Sequence, residues 1–396
     1  MFSRKLSPAE KTLLVADWAA RPFANQLVVE GVGTIDEVEL QKAVDAACRA
    51  HPGSRLRLKG RYCFAKWVAS GGSASVKVIR DSAWDGFHSL NAPFLTEPLH
   101  PVKGPTSQVV LLPGDTTRIV FRTNHGMMDG RGTQLWVEDV FAALNGKKPV
   151  GSRSRVTDMD ISSMTRDKNQ NSATKIRPSD CIIPTGKSQG DSQAVAWQRI
   201  RLEGKFKHLV SKLAILLAEE AWKYQPGRVS FLIPVDMRKR IPGLRSTNNL
   251  SSMIHFEVSD QDTVTSVQGK LSLLLAGQNE SLPSWYPVLS FIPLSLMKRV
   301  YRQSAAESQA TDLYSASAVI SNLGKMPMER YACGGFDPEA CFFIPPCGEG
   351  MSHFMTLAGS GKYVDILTAT PHMYATQGRI HSLLASVARR LSANDI

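Results

Sequence analysis

At 396 residues the chain is long enough for two domains or more, and 43% hydrophobic with 21% charged residues is ordinary for a globular protein. No apolar run reaches the roughly 18 residues of a membrane span, and Met1 to Pro8 lacks the apolar core of a signal peptide, so the reading is a cytosolic protein with no transmembrane segment. The formal net charge of +12 calls for an anionic partner without choosing one.

In chain order, Thr34 and Glu37 predict a capping box that opens a helix through Cys48. Arg118 to Asn124 alternates like a half-buried strand, and behind Gly130 and Gly132 the spacing of Leu135, Trp136, Val140, Phe141 and Leu144 predicts a helix. From 147 to 195 the chain is rich in Ser, Thr, Asn, Asp, Gly and charge, with no sustained apolar period. A connector of that length either crosses between domains or is partly disordered. It divides the chain into 1–150, 151–195 and 196–396. The last part reads as a strand (Trp197 to Leu202), a helix (about Phe206 to Tyr224), strands (Arg228 to Asp236 and Ser251 to Val258), helices around 263 to 303, further strands, and a final helix over about Gln377 to Leu391. This alternation lacks strict βαβ regularity and argues for a mixed α/β fold rather than a doubly wound sheet.

The strand end at Asn124 is followed by His125, with Asp129 and Gly130 closing the turn. A histidine there is held rigidly while facing a cleft, and its ordinary pKa of about 6.5 suits a general base. Taken alone, the pair also reads as structural.

The stretch resembles the His-His-x-x-x-Asp-Gly signature of the condensation-domain-like, chloramphenicol-acetyltransferase-like acyltransferase superfamily, with Asn124 in place of the first histidine. Other pieces resemble the same family in order and spacing. They are Leu27 to Gly31 (first strand), His51-Pro52 with Arg55 to Leu58, Pro234-Val235-Asp236 with Arg238, Asn248-Asn249-Leu250, and Ser321-Asn322 with Gly324.

The resemblance implies two chloramphenicol-acetyltransferase-like lobes forming a V, with a tunnel open at both faces and the histidine at their junction. It implies transfer of a thioester-activated acyl group to an alcohol or amine, in specialised-metabolite or lipid biosynthesis. His125 is the expected catalytic base. Asp129 is expected to point away from substrate and pair with Arg238, supporting the site with Gly130. Asn124, Ser321 and Asn322 are candidate contacts to substrate or oxyanion, although a strand-end Ser-Asn-x-Gly equally reads as a turn. Gly130 and Gly132 are expected at turns that a Cβ would obstruct. No Gly-x-Ser-x-Gly elbow suggests an acyl-enzyme.

No permanently bound cofactor is expected. The donor would be a phosphopantetheine thioester on an acyl-carrier or peptidyl-carrier protein, or coenzyme A used without a carrier by an O-acyltransferase. A catalytically silent recruitment module is the alternative from another class. Positions 196–245 carry eleven Lys or Arg against four Asp or Glu. They read as a solvated face, as contacts to coenzyme A phosphates, or as a docking face for an acidic carrier that includes Arg199, Arg201, Lys239 and Arg240. The run lacks interleaved aromatics and nucleic-acid-binding signatures, so no nucleic-acid partner is expected. The six cysteines (Cys48, Cys63, Cys181, Cys333, Cys341 and Cys347) have no Cys-x-x-Cys spacing. Without a His/Cys grouping either, no metal is expected.

Overall fold

The computed structural model describes residues 1–60, 64–165, 178–192, 194–276 and 286–393. The first half runs β1 (Ser3–Lys5), α1 (Pro8–Ala19), β2 (Ala24–Gly33), α2 (Glu37–Ala50), β3 (Arg57–Lys59), β4 (Lys66–Val68), β5 (Ser75–Val78), β6 (Ser107–Leu112), β7 (Thr117–Asn124), α3 (Gly130–Leu144) and α4 (Asp158–Thr165). The second half runs β8 (Val195–Glu203), α5 (Leu209–Trp222), β9 (Val229–Asp236), β10 (Ser251–Val258), α6 (Val264–Ala276), α7 (Leu294–Thr311), β11 (Ala318–Lys325), β12 (Phe336–Ile344), β13 (Phe354–Gly359), β14 (Tyr363–Pro371) and α8 (Arg379–Ala393).

The strands make three sheets, ordered β1-β4-β3, β12-β2-β7-β6-β5 and β10-β9-β11-β13-β14-β8. On β2, consecutive Leu27, Val28 and Val29 are all fully buried, which happens only where both faces of a sheet are covered. One face carries α2 and α3 through Leu40, Val44, Trp136 and Phe141. The other meets the six-stranded sheet, whose strands show the period-two alternation of a sheet with two different neighbours. Ala358 and Leu367 join the first core, while the adjacent Leu357 and Ile366 join a second core with Leu213, Leu217 and Leu384 from α5 and α8. The fold is mixed α/β.

β12 belongs to the second half in sequence but pairs antiparallel with β2, Phe342 opposite Val28. The first half's sheet is therefore completed by the chain beyond 196.

The capping box at Thr34 does not form. The Thr34 N–H donates to Gly335 O at 2.8 Å, which keeps that residue at the sheet edge. Asp36 caps α2 instead, accepting from Val38 N and Glu39 N at 2.9 Å. The connector also carries more structure than its composition suggests. Among the described side chains of its helix α4, Ile161 is the only buried apolar one, packed against Met237 and Leu250, too little apolar signal for a periodicity to reveal. Cys181 N donates to Tyr314 O, and Ile182 N to Arg228 O, at 2.9 and 3.0 Å. The described part of the connector is thus tied into the fold; 166–177 and 193 lie outside the described residues. Of the helical stretch expected at 263–303, residues 277–285 lie outside as well. The last helix starts at Arg379 because Gln377 sits at φ +57°, which helices exclude.

Candidate active site

The loop from Asn124 to Asp129 joins β7 to α3, and its shape follows from its hydrogen bonds. His125 N donates to Phe23 O at 3.1 Å, and Met127 N to Asn124 O at 3.0 Å. Arg4 Nη2 holds Met127 O at 2.8 Å and Asn25 Nδ2 holds Met128 O at 2.6 Å. The carbonyls of Asn124, Met127 and Met128 are thereby engaged, and the His125 side chain projects from a fixed backbone.

The His125 ring stacks on Phe23 at a centroid distance of 5.6 Å and is half-buried. Its Nδ1 is sealed from solvent and makes no hydrogen bond among the described residues. Burial pushes the imidazole below its ordinary pKa, against the opposing pull of the Asp129 carboxylate and, more weakly, of the His125 and Met128 carbonyls and the Asn249 amide. The ring is therefore neutral at pH 7, as a proton acceptor must be.

The Asp129 side chain is buried, 2% exposed. Its Oδ1 accepts from Gly132 N at 2.7 Å and Arg238 Nη2 at 2.9 Å. Its Oδ2 accepts from Arg238 Nη1 at 3.0 Å, Leu250 N at 2.8 Å and Ser251 Oγ at 3.2 Å. One carboxylate thus caps α3, pairs with an arginine 109 residues on, and ties down the start of β10. Arg238 also donates to Ser246 O at 2.8 Å, Asn248 O at 2.6 Å and Asp236 Oδ1 at 2.9 Å. Burial weighs against its charge, but Asp129 and Asp236 more than offset that and hold its pKa above the ordinary value.

The two glycines differ. A Cβ on Gly132 would stand 2.4 Å from Thr247 O, so α3 and the 247–250 loop approach too closely for any side chain. A Cβ on Gly130 would meet nothing nearer than Phe343 at 3.8 Å. The expectation that a Cβ would be obstructed is right for Gly132 and wrong for Gly130.

Asn124 is fully buried, and its amide is consumed locally: Nδ2 donates to Leu99 O and Oδ1 accepts from Gly126 N, both at 3.0 Å. Through these two bonds it braces the loop. The Asn322 amide likewise closes a turn, accepting from Gly324 N at 2.9 Å, and the residue is exposed. Ser321 is half-buried on β11 opposite Thr356.

A residue not singled out from the sequence sits beside His125. Asn249 is 4% exposed, and neither Oδ1 nor Nδ2 has a hydrogen-bond partner among the described residues. It lies close enough to favour the charged imidazole, yet outside bonding geometry. An amide so placed costs about 1–3 kcal/mol. The only sequence signal was its place in the Asn-Asn-Leu element.

Two of the four residues expected at a docking face, Arg199 and Arg201, are taken up in ion pairs. Arg199 is 1% exposed and donates to Glu30 at 2.7 Å and bidentately to Asp365 at 2.9 and 3.0 Å, with its guanidinium 3.9 Å from the Phe342 ring centroid. Arg201 pairs with the same Asp365. Both lie on β8 with side chains turned into the contact between the two larger sheets, which a residue count cannot foresee. Lys239 stays exposed and Arg240 half-buried. On that side a cavity of about 740 Å³ is lined by Arg131, Arg238, Lys239, Arg245, Lys325 and Arg330, with Glu138 and Asp236 as counter-charges; His125 is not in its wall.

Among the described residues no three His, Cys, Asp or Glu side chains converge as a metal site, and no helix is long and apolar enough to cross a membrane. Burial raises the thiols of Cys48, Cys181, Cys333, Cys341 and Cys347, Cys347 up to about 12, so none is a ready nucleophile. Cys63 lies outside the described residues. His353 is buried and pushed down to about 3 by desolvation.

No protein-family model matches the chain, and no curated protein matches it in sequence. Solved structures match over its full length. A variant of the starter condensation domain of the rhizomide synthetase RzmA, in complex with C8-CoA, superposes with a TM-score of 0.70 at 13% identity, covering 99% of this chain and 94% of that one. The first condensation domain of the calcium-dependent antibiotic synthetase, in complex with a substrate analogue, gives 0.70 at 13% identity, covering 99% and 96%. The condensation domain of the Monacolin K polyketide synthase MokA gives 0.66 at 12% identity, covering 99% and 98%. The chain has the condensation-domain fold.

Proposed function

We propose that this chain, built on the condensation-domain fold, is an acyltransferase that moves an acyl group from a phosphopantetheine thioester to an alcohol or amine, with His125 as general base. One observation carries the reading. The imidazole is fixed at the end of β7, neutral at pH 7, while the carboxylate four residues on is committed to Arg238 and leaves the ring to substrate.

With Nδ1 sealed, Nε2 is the nitrogen that takes the proton from the acceptor as its oxygen or nitrogen attacks the thioester carbon. The tetrahedral intermediate then expels the thiolate, the carbon–sulfur bond breaks, and the imidazolium returns the proton to sulfur. Base assistance of this kind is worth about 10²- to 10⁴-fold. Alignment of two substrates supplies much of the remainder.

The donor is carried either by a carrier protein or by coenzyme A. A specific observation favours free coenzyme A as the second reading. Arg199 and Arg201, half of the candidate carrier face, are spent on Asp365, whereas the exposed Lys239 and Lys325 stand at a basic cavity suited to phosphates. Starter condensation domains that hold C8-CoA support the same donor class.

The test offers one acyl group on coenzyme A and on a phosphopantetheinylated carrier, with alcohol and amine acceptors, and follows thioester loss by mass spectrometry. Turnover in the native protein and a loss of at least ~10²-fold in His125→Ala are expected. An equally active variant refutes the base assignment. No transfer with any pair leaves the recruitment module as the better reading.

A further inference from the structure

We infer that Asn249 donates a hydrogen bond from its side-chain Nδ2 to the acyl carbonyl of the substrate and to the oxyanion formed from it, and that the Asp129–Arg238 pair is the clamp that aims it. The inference rests on the acyl-transfer reading and assigns a second substrate-facing group to that site.

The asparagines around the loop make their own comparison. Asn25 Nδ2 is bonded to Met128 O, Asn124 Nδ2 to Leu99 O, and Asn248 Nδ2 to Val156 O at 2.8 Å. Asn249, next in sequence to Asn248 and equally buried, has both side-chain atoms without a partner among the described residues. Chains rarely leave a buried amide unmatched, and where they do the group commonly awaits a ligand. The ligand here must reach the imidazole beside it, and a thioester under attack at His125 brings a carbonyl oxygen there.

The backbone is fixed on both sides of this residue. Arg238 Nη2 donates to Asn248 O at 2.6 Å, and Leu250 N donates to Asp129 Oδ2 at 2.8 Å. Thr247 O lies against Gly132, leaving no room for a Cβ. The ion pair therefore grips the peptide units before and after Asn249 and registers that residue against the turn that presents His125. In the reaction Asn249 neither gains nor loses a proton. Its N–H donates more strongly as the carbonyl oxygen takes up charge, and less once the carbon–sulfur bond has broken and the product carbonyl re-forms.

The test measures binding by calorimetry with two probes that differ by one carbonyl, octanoyl-CoA and the thioether S-octyl-CoA, in the His125→Ala protein so that the thioester persists. A neutral hydrogen bond predicts a preference of roughly 3- to 10-fold for octanoyl-CoA, abolished by the added Asn249→Ala change. A preference that survives Asn249→Ala, or no preference in the His125→Ala protein, overturns the assignment. In otherwise native protein, Asn249→Ala should lower kcat by about 10²-fold, raise KM by no more than the roughly 3- to 10-fold of the lost carbonyl bond, and keep or raise the melting temperature, since the side chain holds nothing and an unmatched buried amide is removed. A lowered melting temperature with kcat intact would make Asn249 a structural residue and also overturn the inference. If Asn249→Ala erases the preference but no acceptor ever consumes the thioester, the acyl-transfer reading fails and the carbonyl contact stands.

Discussion

Removing Asp129 tests the centre of the site through stability. In Asp129→Ala the buried Arg238 loses a bidentate partner, and breaking a buried pair costs about 3–5 kcal/mol. The lower end applies, because Arg238 keeps Asp236 and the carbonyls of Ser246 and Asn248. Loss of the α3 cap adds about 1 kcal/mol, for a total of about 4 kcal/mol. An unfolding entropy of about 2.1 cal/mol/K per residue makes that a fall of about 5 °C in a chain of 396 residues. Arg238→Ala leaves Asp129 with three donors, Gly132 N, Leu250 N and Ser251 Oγ, and the cap intact, so about 3 kcal/mol and about 4 °C are expected. The two changes remove one interaction between them, and the double variant should fall short of the sum by about 2 kcal/mol. Differential scanning calorimetry of the four proteins closes the cycle. Strictly additive losses, or an Asp129→Ala protein that melts like the parent while inactive, would refute the structural role and move the carboxylate into the chemistry.

Two further outcomes follow from the same geometry. Because burial lowers the His125 pKa and the neutral ring is the active form, kcat/KM should rise with pH through a midpoint below the ordinary 6.5 and stay flat above it, with the acid limb missing from the residual activity of His125→Ala; an acid limb centred above 6.5 would contradict the desolvated ring. Gly132→Ala should cost stability and activity together by pushing Thr247 and the loop behind it off α3, whereas Gly130→Ala, with open contact distances, should sit within about 1 kcal/mol of the parent by denaturant titration; equal effects at both positions would refute the close-approach argument.

The sequence by itself determined what local pattern can determine. Alternation from Arg118 to Asn124 and the helical spacing behind Gly132 defined the strand–turn–helix that carries His125, and both periods are properties of neighbouring residues. A mixed α/β fold followed from the order of such elements, and the family resemblance singled out Arg238 as the mate of Asp129. What a polar group bonds to was left to the tertiary structure, because the partner is set by chain segments far away. Arg199 reads as a surface charge until β8 is laid against β14 and β2, which turns it onto Asp365 and Glu30. Asn124 and Asn249 are the same residue in the sequence. Only packing gives the first a carbonyl and a backbone N–H, and leaves the second buried beside the imidazole with its amide unspent.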